Sequence, residues 1–224
     1  MIPLHLHIVH QLTPADIQFI LDTLADSHGK RRGLARLLMD AETAESILDD
    51  RVLFQTVVDS PEQLKISTQL YFYILVRHTL RRAGEESREM AAYIALTLAE
   101  FTCHGLLPTR EESGRTIVQY SHDLEARLQE ATPSQRFFLH AAIGNHYLCT
   151  TGLFPGHVRR RAERWGAPDI AFYESLGGHN FRNARDHPYA REYALESIFD
   201  QLGSDFPETR RLLNDLAERL VFLS

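Results

Sequence analysis

The chain has 224 residues, of which 44% are hydrophobic and 24% charged, which supplies one domain with a sizeable core and argues against disorder. Thirty acidic against 24 basic side chains leave a net charge of −6, so there is no global attraction for nucleic acid or anionic lipid, and any such binding must be local. Two isolated cysteines, Cys103 and Cys149, and no apolar run near the ~20 residues of a membrane span exclude a disulfide framework, a zinc knuckle and a spanning helix; we expect two buried free thiols in a reducing cytoplasm.

In chain order, Leu4 to Val9 alternates too briefly to argue a strand. Thr13-Pro14 with Asp16 reads as a capped helix start, and Ile17, Ile20, Leu21 and Leu24 fall on one face. Leu34, Leu37 and Leu38 suggest a second helix; Ile47-Leu48 with Leu53 and Val57 suggest short helices capped by aspartates. Ser60-Pro61-Glu62-Gln63 forms a capping box ahead of Leu70 to Val76, a stretch apolar on nearly every face that Gly84 should stop. Met90, Ile94, Leu98 and Phe101 mark the next helix, whose alanines allow a close neighbour. After a polar loop from Pro108 to Gly114, Ile117, Leu124 and Leu128 continue the pattern, and Thr132-Pro133-Ser134-Gln135 is a second capping box. It opens a helix expected over 136–151 and ended by Gly152. A short basic helix (157–165), a helix that Pro188 should terminate, and two amphipathic helices follow. The expectation is an all-α, bundle-like array in a single domain spanning residues 1–224.

Three stretches, YFYILVRHTLRRAG (71–84), AAYIALTLAEF (91–101) and CTTGLFPGHVRRR (149–161), followed by Phe172-Tyr173 and Gly177-Gly178, resemble an uncharacterised all-helical bacterial protein family. The resemblance implies a helical fold and a bacterial cytosolic setting, and it carries no catalytic residues.

The sequence has no phosphate loop, no dinucleotide fingerprint, no H-E-x-x-H, no EF-hand loop, no G-x-S-x-G and no Glu-x-x-His pair of di-iron bundles. Glu100 and His104, four apart, could aim at one metal, but two ligands do not make a site, and a helix-end pair explains them as well. His122-Asp123 fits a solvated face better than a metal-dependent phosphohydrolase. Polar groups on helices expected to be buried are more informative: Arg77 and His78 on one, Glu100 and His104 on the next, His140, Asn145 and His146 on a third. Such groups must be paired, so they either form a structural network or line a pocket, with His78, His140, Asn145 and His146 as its ligand-binding residues.

Arg182-Asn183-Ala184-Arg185-Asp186-His187 resembles the R-x4-H motif of HEPN-type ribonucleases. That resemblance implies Arg182 on the scissile phosphate and His187 as metal-independent general acid or base. Pro188 directly afterwards works against it by ending the helix. Arg159, Arg160, Arg161 and Arg164 beside Trp165 suit phosphate binding and base stacking; spread around a two-turn helix and interrupted by Glu163, they favour an ordinary solvated helix or a protein interface over a nucleic-acid site. The sequence thus points to a non-catalytic binding or regulatory protein without a cofactor, contacting a protein partner or a second copy of itself. Nucleic acid is a disfavoured partner and a membrane is not one. The alternatives are a HEPN-like ribonuclease and a helical protein holding a metal or small ligand among its histidines.

Overall fold

In the computed structural model, which describes residues 7–59, 65–103 and 123–219, every regular element among those residues is helical. The helices sort into two compact units, one of described residues up to Ala99 and one from Glu100 onward.

The first unit starts with a 3-10 turn, Ile8–Gln11, where the sequence had a brief alternation. Then come α1 (Pro14–Leu24), α2 (His28–Leu37), α3 (Ala41–Leu48), α4 (Arg51–Asp59), α5 (Thr68–Arg82) and most of α6 (Arg88–Cys103). Local chemistry sets their starts. Thr13 Oγ1 accepts the Asp16 N–H at 3.2 Å and Asp16 returns the bond to the Thr13 N–H at 2.8 Å, a capping box that satisfies two orphan donors of α1. The second oxygen of Asp16 accepts the Ser67 N–H at 2.7 Å, so the cap of one helix also fixes the entry to α5. The residue that caps α5 is Ser67, through the Leu70 N–H; the box read at 60–63 lies outside the described residues. Gly84, at φ 88°, ends α5 in a Schellman turn, with Glu85 N–H donating to Leu80 O and Gly84 N–H to Arg81 O. Residues 72–77 of α5 are all buried, as are 90–99 of α6, in keeping with helices apolar on most faces.

The second unit holds the last turn of α6, a helix over residues 123–130 (α7), α8 (Pro133–Leu153), α9 (Pro155–Trp165), α10 (Ile170–Arg185), α11 (Pro188–Glu192), α12 (Glu196–Ser204) and α13 (Phe206–Arg219). The capping box at Thr132 and Gln135 opens α8. Gly152 does not end it. A Cβ there would lie 2.8 Å from the Leu213 Cβ, so this glycine lets α13 close on α8 from inside the helix, and α8 runs on to Leu153. Gly144 receives the Phe181 ring of α10, and Gly177 receives Phe206 at the start of α13, in the same way. Pro188 stops α10 and also begins α11 as its first residue, with His187 as N-cap. Of the two thiols, Cys149 is buried but Cys103, on the last turn of α6, is exposed, against the expectation that both are buried. No helix among the described residues is long and apolar enough to cross a membrane.

Candidate functional site

Arg77 lies in the first unit with its side chain 5% exposed, and its guanidinium is fully engaged. Nε and one amino group fork onto the Asp49 carboxylate at 2.8 and 3.1 Å, while the other amino group donates to Glu86 O at 2.9 Å. Arg88 adds bonds to Asp49 and Glu45 at 3.4 Å each. Burial alone would raise the Asp49 pKa; the Arg77 fork and the charges of Arg81 and Arg88 outweigh it and hold the carboxyl below its usual range. This is a structural lock tying α3 to α5 and the start of α6. His78, the next residue, stacks face to face on Phe54 at 3.5 Å between centroids.

The other three expected pocket residues lie on α8 in the second unit, and they face different neighbours. His140 Nδ1 is 2.8 Å from Asn180 Oδ1 on α10. Asn180 donates its amide to Leu176 O at 2.9 Å, which turns Oδ1 toward the histidine and places the imidazole proton on Nδ1. Burial pulls the His140 pKa below the ordinary value, the Asn180 bond opposes this, and the charges of His179, Arg136 and His187 push it further down. His146 is 3% exposed, its ring 6.2 Å from Phe101 and 5.6 Å from Tyr147, and Asn145 beside it is 6% exposed. Glu100 is half-buried, whereas His104 and His122 lie outside the described residues, and Asp123 is exposed. Among the described residues, no three His, Cys, Asp or Glu side chains are grouped to hold a metal ion.

Arg182 and His187 go to separate partners. The Arg182 guanidinium donates to Gly203 O on α12. His187 Nδ1 accepts the Tyr189 N–H at 3.1 Å, which leaves the proton on Nε2 to donate to Pro133 O at 3.1 Å. Both ring nitrogens are therefore spent on backbone, joining α11 to the start of α8, and neither is placed to exchange a proton with a substrate.

The four arginines of α9 behave differently. Arg159, Arg160 and Arg164 are exposed, Arg161 is half-buried, and none of the four makes an ion pair with another described residue. Elsewhere in this unit Arg185 pairs with Asp186 and Asp200, Arg191 with Glu196 and Arg211 with Glu208, while the exposed Arg127, Arg136 and Arg182 make no ion pair with another described residue. The four arginines together span about 200° of the helix axis, as their spacing suggested, but three of them share a narrower side. His157, Arg160, Arg161, Arg164 and Trp165 occupy positions i, i+3, i+4, i+7 and i+8 of one stripe, with the arginines and Trp165 inside an arc of about 140°. Arg159 and Glu163 fall outside it on the solvent side, and Val158, buried at 4% exposure, adjoins it on the other side next to Trp165. The His157 pKa is lowered by burial first and then by Arg161 and Arg160, and Arg161 also opposes the rise that burial causes at Tyr173 of α10. Trp165, the single tryptophan, is 69% exposed at the end of the stripe, where Gly166, in left-handed conformation at φ 60°, closes the helix. Phe172, on the first turn of α10, is 50% exposed.

The spread of the four arginines hid the narrower stripe that residue spacing gives Arg160, Arg161, Arg164 and Trp165, whereas Asp49 and Asn180, which immobilise Arg77 and His140, carried no signal in the sequence because they come from distant segments. In comparisons with known proteins, the chain matches no family model, no curated protein and no solved structure.

Proposed function

We propose that this chain is a non-catalytic binding protein that acts through protein contacts, with the arginine–tryptophan stripe of α9 as its contact surface. The observation that carries the reading is Trp165, 69% exposed beside three arginines that make no ion pair among the described residues. Tryptophan and arginine are the residue types that most often dominate protein interfaces, and a tryptophan kept in water forgoes the burial that would stabilise a fold. Two further facts favour binding over catalysis: Arg182 and His187 are committed to backbone carbonyls, and Arg77 to a carboxylate. The two cysteines are free thiols, in keeping with a cytoplasmic setting.

The test is site-directed crosslinking. Trp165 is replaced by a photoreactive phenylalanine analogue, and the protein is irradiated in cells of its own source. A discrete protein adduct, a second copy of the chain included, is expected, and it should vanish when Arg160, Arg161 and Arg164 are changed together to glutamate. No adduct, or adducts indifferent to the charge reversal, would overturn the reading.

A further inference from the structure

The chemistry of the α9 stripe also specifies its occupant. We infer that this face docks an acidic helical segment of a partner protein, one that presents carboxylates at helical spacing around a single apolar anchor. The inference rests on the proposed function and goes further by naming the partner's chemistry.

Charge complementarity argues for carboxylates. Three arginines on one stripe have no carboxylate on them among the described residues, although Glu163 is on the same helix. Their guanidinium groups are planar forks that match carboxylates bidentately. Arg160 and Arg164 are one turn apart, a rise of about 6 Å, which is also the repeat of glutamates at i and i+4 on a partner helix. Arg161 widens the cationic surface on one side. Trp165 ends the stripe with a large apolar surface in water, so a leucine or phenylalanine on the partner would be dehydrated there while its carboxylates meet the arginines.

The same residues could stack a nucleobase and hold a phosphate, and two facts weigh against that. The whole chain carries −6, which repels a long polyanion more than a short acidic segment whose charges lie within a Debye length of the stripe. The basic surface is also short: Glu163 borders it on the helix, and Asp169, the N-cap of α10, stands just beyond the turn that follows Trp165. A nucleic-acid backbone leaving the stripe on that side would pass carboxylates.

Because Trp165 is the only tryptophan, its emission reports this site alone. The full chain is titrated with a synthetic helical peptide bearing glutamates at i, i+4 and i+7 around one leucine. Parallel titrations use the peptide with glutamines for the glutamates, the peptide with alanine for the leucine, and a single-stranded oligoribonucleotide. We expect a blue shift of Trp165 emission with the glutamate–leucine peptide, and affinity lower by about tenfold or more for either altered peptide. The Arg160→Glu/Arg164→Glu variant should lose the shift while keeping the wild-type circular dichroism and melting temperature, since both side chains are exposed. The inference is overturned if the glutamate–leucine peptide gives no shift, if the alanine peptide binds as well, or if the oligoribonucleotide binds as tightly at the same salt. Failure here while the crosslink to α9 persists would remove the acidic segment and leave the contact surface standing.

Discussion

Gly177 faces Phe206 across the contact of α10 with α13, and replacing it by alanine separates tertiary packing from helix propensity. A Cβ on residue 177 would stand 2.5 Å from Phe206 Cζ, well inside van der Waals contact. The ring cannot swing into water, because Phe206 is 1% exposed and is flanked by Phe181 at 6.0 Å between centroids. Overpacking of this kind costs about 1–3 kcal/mol, while alanine in a helix interior returns about 1 kcal/mol relative to glycine. The net expectation for Gly177→Ala is a loss of up to about 2 kcal/mol, in place of the gain of about 1 kcal/mol that propensity alone would give. Gly33 is the control. It lies in α2 with nothing within 4 Å of a Cβ, so the same substitution there should stabilise by about 1 kcal/mol. Urea denaturation followed by far-UV circular dichroism, each variant against wild type, measures both. A Gly177→Ala protein stabilised as much as Gly33→Ala would refute the close approach of α10 to Phe206, and a destabilised Gly33→Ala protein would refute the open surface of α2.

Three further outcomes are expected. Arg77→Met keeps the aliphatic stem but leaves the Asp49 carboxylate with only the looser contacts of Arg81 and Arg88, and should cost about 2–3 kcal/mol by chemical denaturation. His140 has its folded pKa below the ordinary value of 6.5, chiefly through burial, so as pH falls the unfolded chain takes up the proton first. Its contribution to stability is therefore complete above about pH 6.5 and is lost on acidification from there down through the folded pKa; His140→Gln should flatten the fall in melting temperature between about pH 7.5 and 5.5, and an unchanged slope would contradict this. With RNA in EDTA, the protein should show no cleavage that an Arg182→Ala/His187→Ala double variant abolishes; that variant should instead lose about 1 kcal/mol of stability, because His187 caps α11. Cleavage lost in the double variant would restore the ribonuclease reading.

Sequence by itself determined what local chemistry determines. Helix starts at Thr13 and Thr132, the glycine stop after α5 and the apolar faces of α5, α6 and α8 follow from residues within a few positions of one another, and each was legible without coordinates. That Arg160, Arg161, Arg164 and Trp165 share one side of α9 likewise follows from 3.6 residues per turn, although four arginines so close in sequence read first as spread around the axis. Tertiary structure decided wherever a residue's fate rests on a distant partner. Gly152 has the chemistry of a helix stop and became a packing site because Leu213 of α13 closes on it. His140 and His146, six residues apart on one helix, point to Asn180 and to Phe101, so the expected histidine pocket was divided between two neighbours. His187 has the identity of an acid–base catalyst, but Tyr189 and Pro133, the latter 54 residues away, take both of its nitrogens. A side chain's chemistry is local, whereas the buried group that must satisfy it is chosen by the fold, and only the fold could show which of these polar residues were already spent on structure.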